Sequence, residues 1–173
     1  MYKDKFNTSS ISGKKWNLNN PAVFFATGFG VGLLPFAPGT WGSILAVIIA
    51  WGIVDIFGHL TLLVTTILCF FIGILASESC IKNFSSSDPK QVVIDEIVAQ
   101  FLVLLVLPLD LLSYLLALFL FRFFDIFKPW PICWVDRNIK GGFGIMADDV
   151  LAAIYAIIIL YLVSIWTGSI NVY

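Results

Sequence analysis

Charge is scarce in this chain of 173 residues. Asp, Glu, Lys and Arg make up 12% of it, where a soluble domain carries about 25%. With 60% hydrophobic residues and a mean hydropathy of +0.96, that shortage excludes an ordinary soluble domain and indicates an integral membrane protein. Histidine is all but missing: His59 is the only one, and no role is assigned to it. Cysteine is limited to Cys69, Cys80 and Cys133. An odd number without CxxC spacing argues against a disulfide framework and leaves burial as the expectation for each. The N-terminal "MYKDKFNTSSISGKKWNLNN" has no apolar stretch of the kind a signal peptide needs. No basic patch with interleaved aromatics exists, so nucleic acid is not an expected partner.

Long apolar runs are what the chain has instead. A membrane-crossing helix needs about 20 mostly apolar residues. Residues 41–57 and 60–77 qualify. Residues 93–127 read as two helices, 93–107 and 111–127, with a tight turn at "PLD". Residues 149–167 make the last span. The expected fold class is therefore all-α, a polytopic membrane protein with about five membrane helices. Residues 1–20 are expected to form a polar cytoplasmic segment, and 21–173 a single membrane-embedded domain.

Alternating the spans places the N-terminus and the loops at 78–92 and 128–147 on one face. All ten Lys and Arg fall there or at the adjoining helix ends, which makes that face cytoplasmic by the positive-inside rule. Nine of the eleven acids lie there too; only Asp55 and Asp110 are near the opposite face. The rule says nothing about acids, so their clustering needs its own cause.

Asp95 and Glu96 open one span, and Asp148 and Asp149 open another. Acids in a first turn favour the positive end of the helix dipole, worth about 0.3–1 kcal/mol. One acid would be explained that way; two pairs at one membrane depth suggest function. Neighbours on a helix point about 100° apart, so each pair is expected to send one carboxylate inward. In "FRFFDIFKPWPICWVDRNIKGG", Arg122, Asp125 and Lys128 share a helical face at i, i+3, i+6. They read either as a snorkelling arginine with a paired acid, or as a metal carboxylate with cations for phosphate.

"ATGFGVGLLPFAPGTWGS" is not a dinucleotide fingerprint, since Leu33 stands where the third glycine belongs, and no GK[ST] follows to make a P-loop. Gly28 and Gly32 match GxxxG, which suits helix packing. The segment also reads as a re-entrant or interfacial loop before the first span. Free N–H groups near Thr40 and Ser43 would then suit phosphate oxygens, or the stretch is simply a capped helix start.

Together these pieces resemble the phosphatidylglycerophosphatase A family of bacterial inner-membrane lipid phosphatases. The resemblance rests on "ATGFGVGLLPFAPGTWGS", "DPKQVVIDEIVAQF" and "FRFFDIFKPWPICWVDRNIKGGFGIMADDVLAAI", which cover most of residues 25–155. Ala99 departs from it, standing where a glycine is expected. The resemblance implies Mg²⁺-dependent hydrolysis of the membrane lipid phosphatidylglycerophosphate to phosphatidylglycerol, with the site at the cytoplasmic surface of the inner membrane. No aspartyl-phosphate motif, Cys-x5-Arg loop or histidine-phosphatase motif is present, so metal-activated water is the economical mechanism. Asp95, Glu96, Asp148 and Asp149 are the expected Mg²⁺ ligands, joined by Asp88 or Asp125. Asp95, Glu96 and Asp149 are the expected catalytic acids. Arg122, Lys128, Arg137 and Lys140 are expected to hold phosphate, with Thr40 and Ser43 as further candidates.

Three rivals fit less. A phosphatidyltransferase would carry D-x2-D-G-x2-A-R, which is absent. A small ion or solute transporter would hold its acids near the bilayer midplane rather than at one end. A structural assembly subunit leaves the acid cluster unexplained.

Overall fold

The computed structural model describes residues 16–86 and 88–167. Among them lie seven α-helices and no strand: α1 (Pro21–Ala26), α2 (Pro38–Phe57), α3 (His59–Phe84), α4 (Ile94–Leu104), α5 (Leu111–Phe127), α6 (Ile132–Asn138) and α7 (Gly141–Thr167). Residues 1–15, most of the expected N-terminal segment, and the tail 168–173 lie outside the described residues. All three cysteines are free.

Three helices, α2, α3 and α7, are long and apolar enough to cross a membrane. The sequence expectation of five is thus met by length for three. α5 has 17 residues and α4 only 11, about 16 Å at 1.5 Å per residue.

α4 is the centre of the bundle. It packs against α2, α3, α5 and α7, and eight of its eleven residues are buried. Ala46 and Ala50 of α2, Ala117 of α5, and Ala152, Ala153 and Ala156 of α7 share its core and have no exposed surface. Small side chains at such positions let helix backbones approach closely. Ala99, itself buried, keeps α4 in that pattern. Beyond α4, Leu107 accepts a 2.9 Å hydrogen bond from His59 Nε2. The far end of α4 therefore meets the α2–α3 turn. Asp110 caps α5, accepting from the Ser113 amide at 3.0 Å.

The glycine-rich segment is not one continuous helix: a 3-10 turn at Val31–Leu33 separates α1 from α2. α1 stops at Ala26, and Gly28, Phe29 and Gly30 all have positive φ, so Gly28 and Gly32 do not make a helical GxxxG face. The segment folds onto the residues just before α4: the Val93 amide donates to Ala26 O at 2.8 Å. A Cβ on Gly32 would sit 2.1 Å from Gln91 O, so only glycine fits.

α7 starts eight residues before the expected 149. Gly141, Gly142 and Gly144 read as helix breakers, yet a Cβ at Gly142 would lie 2.1 Å from Ile74 O. Glycine there lets α7 press against α3. Glu78 of α3 accepts from the Gly142 amide at 2.8 Å and so caps α7 from a neighbouring helix.

Candidate active site

Five helix ends converge on one cavity of about 440 Å³. They are the starts of α2, α4 and α7, with the ends of α5 and α6 closing the sides. The extra turns of α7 put Asp148 and Asp149 in its third turn, not its first, so neither is a cap. They are 5% and 3% exposed. Both members of each acid pair line the cavity, against the expectation that one of each would face away. The start of α4 is open to the cavity along its first turn.

Asp95, Glu96 and Asp149 each present a carboxylate oxygen, all within 4.8 Å of one another. One oxygen of each, Asp95 Oδ1, Glu96 Oε2 and Asp149 Oδ2, is buried with no hydrogen-bond partner among the described residues. Three carboxylates held this way repel one another and have lost their water. Gly39 makes the arrangement possible: a Cβ there would lie 1.9 Å from Glu96 Oε1.

The remaining acids of the cavity are differently placed. Asp125 holds Arg122 at 2.6 Å, and Arg122 reaches Glu96 at 3.5 Å. Arg122 sits behind the cavity rather than in its lining. Lys128, in a left-handed conformation (φ 42°) just past α5, bridges Asp148 at 2.5 Å and Asp136 at 2.9 Å. Burial lowers the Lys128 pKa, but the hydrogen bonds and charges of Asp148 and Asp136 outweigh it and leave the ammonium more firmly protonated than usual. Asp88 stands at the mouth. Partial desolvation raises its carboxyl above the ordinary range, against the pull of Lys128.

Counting the lining, seven carboxylates face four cations (Lys90, Lys128, Arg137, Lys140). That leaves a formal excess of three negative charges, hostile to an anion unless another cation is added.

Two expected phosphate contacts are placed elsewhere. Ser43 is fully buried and donates within α2 to Gly39 O at 3.0 Å. Thr40 is outside the cavity lining. The amides of Thr40 and Trp41 are already bonded to Ala37 O, so neither is free for a phosphate oxygen. Sequence reasoning missed Asp136, which read as part of a charged loop but lies on α6, paired with Lys128, and also Lys90. It took Gly39 for a loop residue, when its part is to leave room for Glu96.

With this geometry in place, comparison with known proteins is decisive. The family model for phosphatidylglycerophosphatase A matches residues 24–164. The chain belongs to the phosphatidylglycerophosphatase A family. It is an enzyme, a lipid phosphatase, and nothing supports the transporter alternative. Phosphatidylglycerophosphatase A of Haemophilus influenzae is 43% identical over 154 residues, covering 88% of this chain and 94% of that protein. That of Escherichia coli is 35% identical over 154 residues, with 88% and 89% covered. A protein of Bacteroides thetaiotaomicron, provisionally named a phosphatidylinositol-3-phosphatase, is 41% identical over 145 residues, with 80% and 90% covered. No solved structure matches the chain.

Proposed function

We propose that this phosphatidylglycerophosphatase A family member hydrolyses phosphatidylglycerophosphate to phosphatidylglycerol and phosphate, using Mg²⁺ held by Asp95, Glu96 and Asp149. The observation that carries the reading is the trio of convergent, partner-free carboxylate oxygens. Hard oxygen donors are what Mg²⁺ takes; Asp95 and Asp149 have no ion pair among the described residues, and Glu96 keeps Oε2 unpartnered while its Oε1 meets Arg122 at 3.5 Å. A divalent ion also offsets most of the cavity's negative excess. Asp125 and Asp148 are held tightly by Arg122 at 2.6 Å and Lys128 at 2.5 Å, whereas Arg122 is 3.5 Å from Glu96, and Asp88 is exposed, so the trio fits the ion better than they do.

Mg²⁺ there supplies Lewis acidity toward the phosphoryl oxygens and makes water a stronger nucleophile near neutral pH. The protein does the rest. Lys128 presents a permanent positive charge to the phosphoryl group, and Arg122 fixes Glu96 and Asp125 in place. A carboxylate of the trio accepts the proton of the attacking water. A new P–O bond forms, the ester P–O bond breaks, and the leaving glycerol oxygen takes up the proton.

The same reading orders the membrane. α4 and α5 complete five crossings, α4 together with the turn residues 105–110 that follow it, whose non-helical backbone is tolerated at membrane depth where protein encloses it. The lysine- and arginine-bearing end faces the cytoplasm of a bacterial inner membrane. A headgroup in the inner leaflet then meets the cavity directly.

The test is phosphate release by purified enzyme in detergent micelles, with Mg²⁺ and with chelator. Mg²⁺-dependent release from phosphatidylglycerophosphate supports the reading. Preferential release from phosphatidylinositol 3-phosphate would move the chain to the third relative's named substrate. Release that persists in chelator would remove the metal.

A further inference from the structure

The four cavity cations fall into two kinds. Lys128 is tied to two carboxylates deep among the acids. Lys90, Arg137 and Lys140 also line the cavity, but they are exposed, and none has an ion pair among the described residues. Lys140 Nζ donates to the backbone oxygen of Asp136 at 3.0 Å, which leaves its charge uncompensated. The three come from different places: Lys90 from the α3–α4 connection, Arg137 from the last turn of α6, and Lys140 from the residue before α7. Exposed charges are worth little to stability, and the positive-inside rule places basic residues on this face without directing three of them, from three separate segments, into the lining of one cavity.

The substrate under the reading above has two phosphates. Its terminal monoester reacts; its internal diester, carrying one negative charge, does not. The monoester must reach the inner carboxylate trio, and the diester, one glycerol away, is then left toward the mouth. We infer that Lys90, Arg137 and Lys140 form a second anion subsite that binds the unreacting phosphodiester and so selects lipids carrying two phosphates over those carrying one. Arg137 offers a bidentate fork to the diester oxygens, and the lysines offer point charges. The inference rests on the lipid-phosphatase reading and gives that site its substrate discrimination.

The experiment compares phosphatidylglycerophosphate with phosphatidic acid of the same acyl chains. Phosphatidic acid presents a monoester and no diester. Both are assayed in mixed micelles with full-length wild-type enzyme and with the Lys90→Gln/Arg137→Gln/Lys140→Gln variant. Wild type should prefer the two-phosphate lipid in kcat/KM. The variant should lose at least about tenfold of that preference, the size of one charge-assisted contact, through KM rather than kcat. Arg137→Lys should keep more of the preference than Arg137→Gln. Phosphatidylglycerol keeps the diester and lacks the monoester, so it should inhibit wild type competitively and the variant several-fold less. Should the triple variant not elute as folded protein, the three single variants at these exposed positions give the same reading. A preference ratio within twofold of wild type overturns the inference, whether both lipids lose activity together or neither does. Wild-type enzyme that releases phosphate from neither lipid overturns the lipid-phosphatase reading itself, and the inference with it.

Discussion

Replacing Gly39 by alanine should disable the site without unfolding the protein. The added methyl would stand 1.9 Å from Glu96 Oε1, 2.9 Å from its Cδ and 3.0 Å from Arg122 Nη1. Ordinary contact begins at 3.4 Å, so the carboxylate must retreat by about 1.5 Å. Glu96 is a flexible side chain, and its retreat costs the fold little. The cost falls on the carboxylate trio, whose oxygens must stay within a few ångströms to hold one ion. A displacement of about 1 Å at a reacting constellation can cost about 10²-fold in rate, or about 2.7 kcal/mol of transition-state stabilisation. Gly39→Ala should therefore lower kcat/KM for phosphate release by about 10²-fold, while its thermal unfolding in detergent stays within a few degrees of wild type. Glu96→Asp shortens the side chain by one methylene and makes room for the methyl. In the Gly39→Ala background it should recover part of the loss, although alone it lowers activity. Gly39→Ala enzyme within threefold of wild type would refute the argument that this glycine exists to seat Glu96.

Other perturbations separate chemistry from structure. Asp95→Asn and Asp149→Asn should each reduce turnover by about 10²–10⁴-fold, the range for a general base, with unchanged retention on size exclusion; near-normal activity in both removes the trio from the mechanism. Gly142→Ala places its methyl 2.1 Å from the Ile74 carbonyl, a backbone atom. It should force α3 and α7 apart and cost about 1–3 kcal/mol of stability, seen as a lowered unfolding temperature, and an unchanged one would contradict the close packing. Lys128→Met leaves Asp148, 7% exposed at its side chain, facing Asp136 without a cation. Because Lys128 keeps 27% exposure, the loss should be about 2 kcal/mol, below the full cost of breaking a buried pair. Adding Asp148→Asn should restore stability but not activity.

Long apolar runs made most of the bundle legible. The expected 111–127 coincides with α5, and Asp110 in "PLD" is its N-cap. α2 begins three residues earlier than expected, because Pro38 suits a first helical position. α3 continues through "ESCIKNF", since a helix passing out of an apolar layer needs no further hydrophobicity to stay helical. The start of α7 was hidden by its glycines. Their turn-forming reputation reflects conformational freedom, but here Gly142 and Gly144 remain helical and their missing side chains admit neighbouring backbone. α6 was invisible for a different reason: seven residues after Pro131 carry too little periodicity to stand out.

At the site, residue type told more than position. Most of the acids and bases gathered at one end of the helices line one cavity; among the described residues Glu78, Lys82 and Arg122 do not. Which acids are free and which are neutralised depends on pairs far apart in sequence, such as Lys128 with Asp148, 20 residues on. Ser43 shows the opposite failure. Its hydroxyl was a plausible phosphate contact by spacing, but it turns inward to the carbonyl four residues before it, a bond serine makes readily inside helices.

The most direct test of the account is metal binding itself. Purified full-length protein would be titrated with Mn²⁺ by electron paramagnetic resonance; Mn²⁺ serves as probe because it favours the same hard oxygen ligands as Mg²⁺. Wild type should take up Mn²⁺ that excess Mg²⁺ displaces, and Asp95→Asn, Glu96→Gln and Asp149→Asn should each weaken that uptake at least tenfold. Wild type that takes up no Mn²⁺, or variants that bind it as well as wild type, would contradict the claim that these three carboxylates form the metal centre.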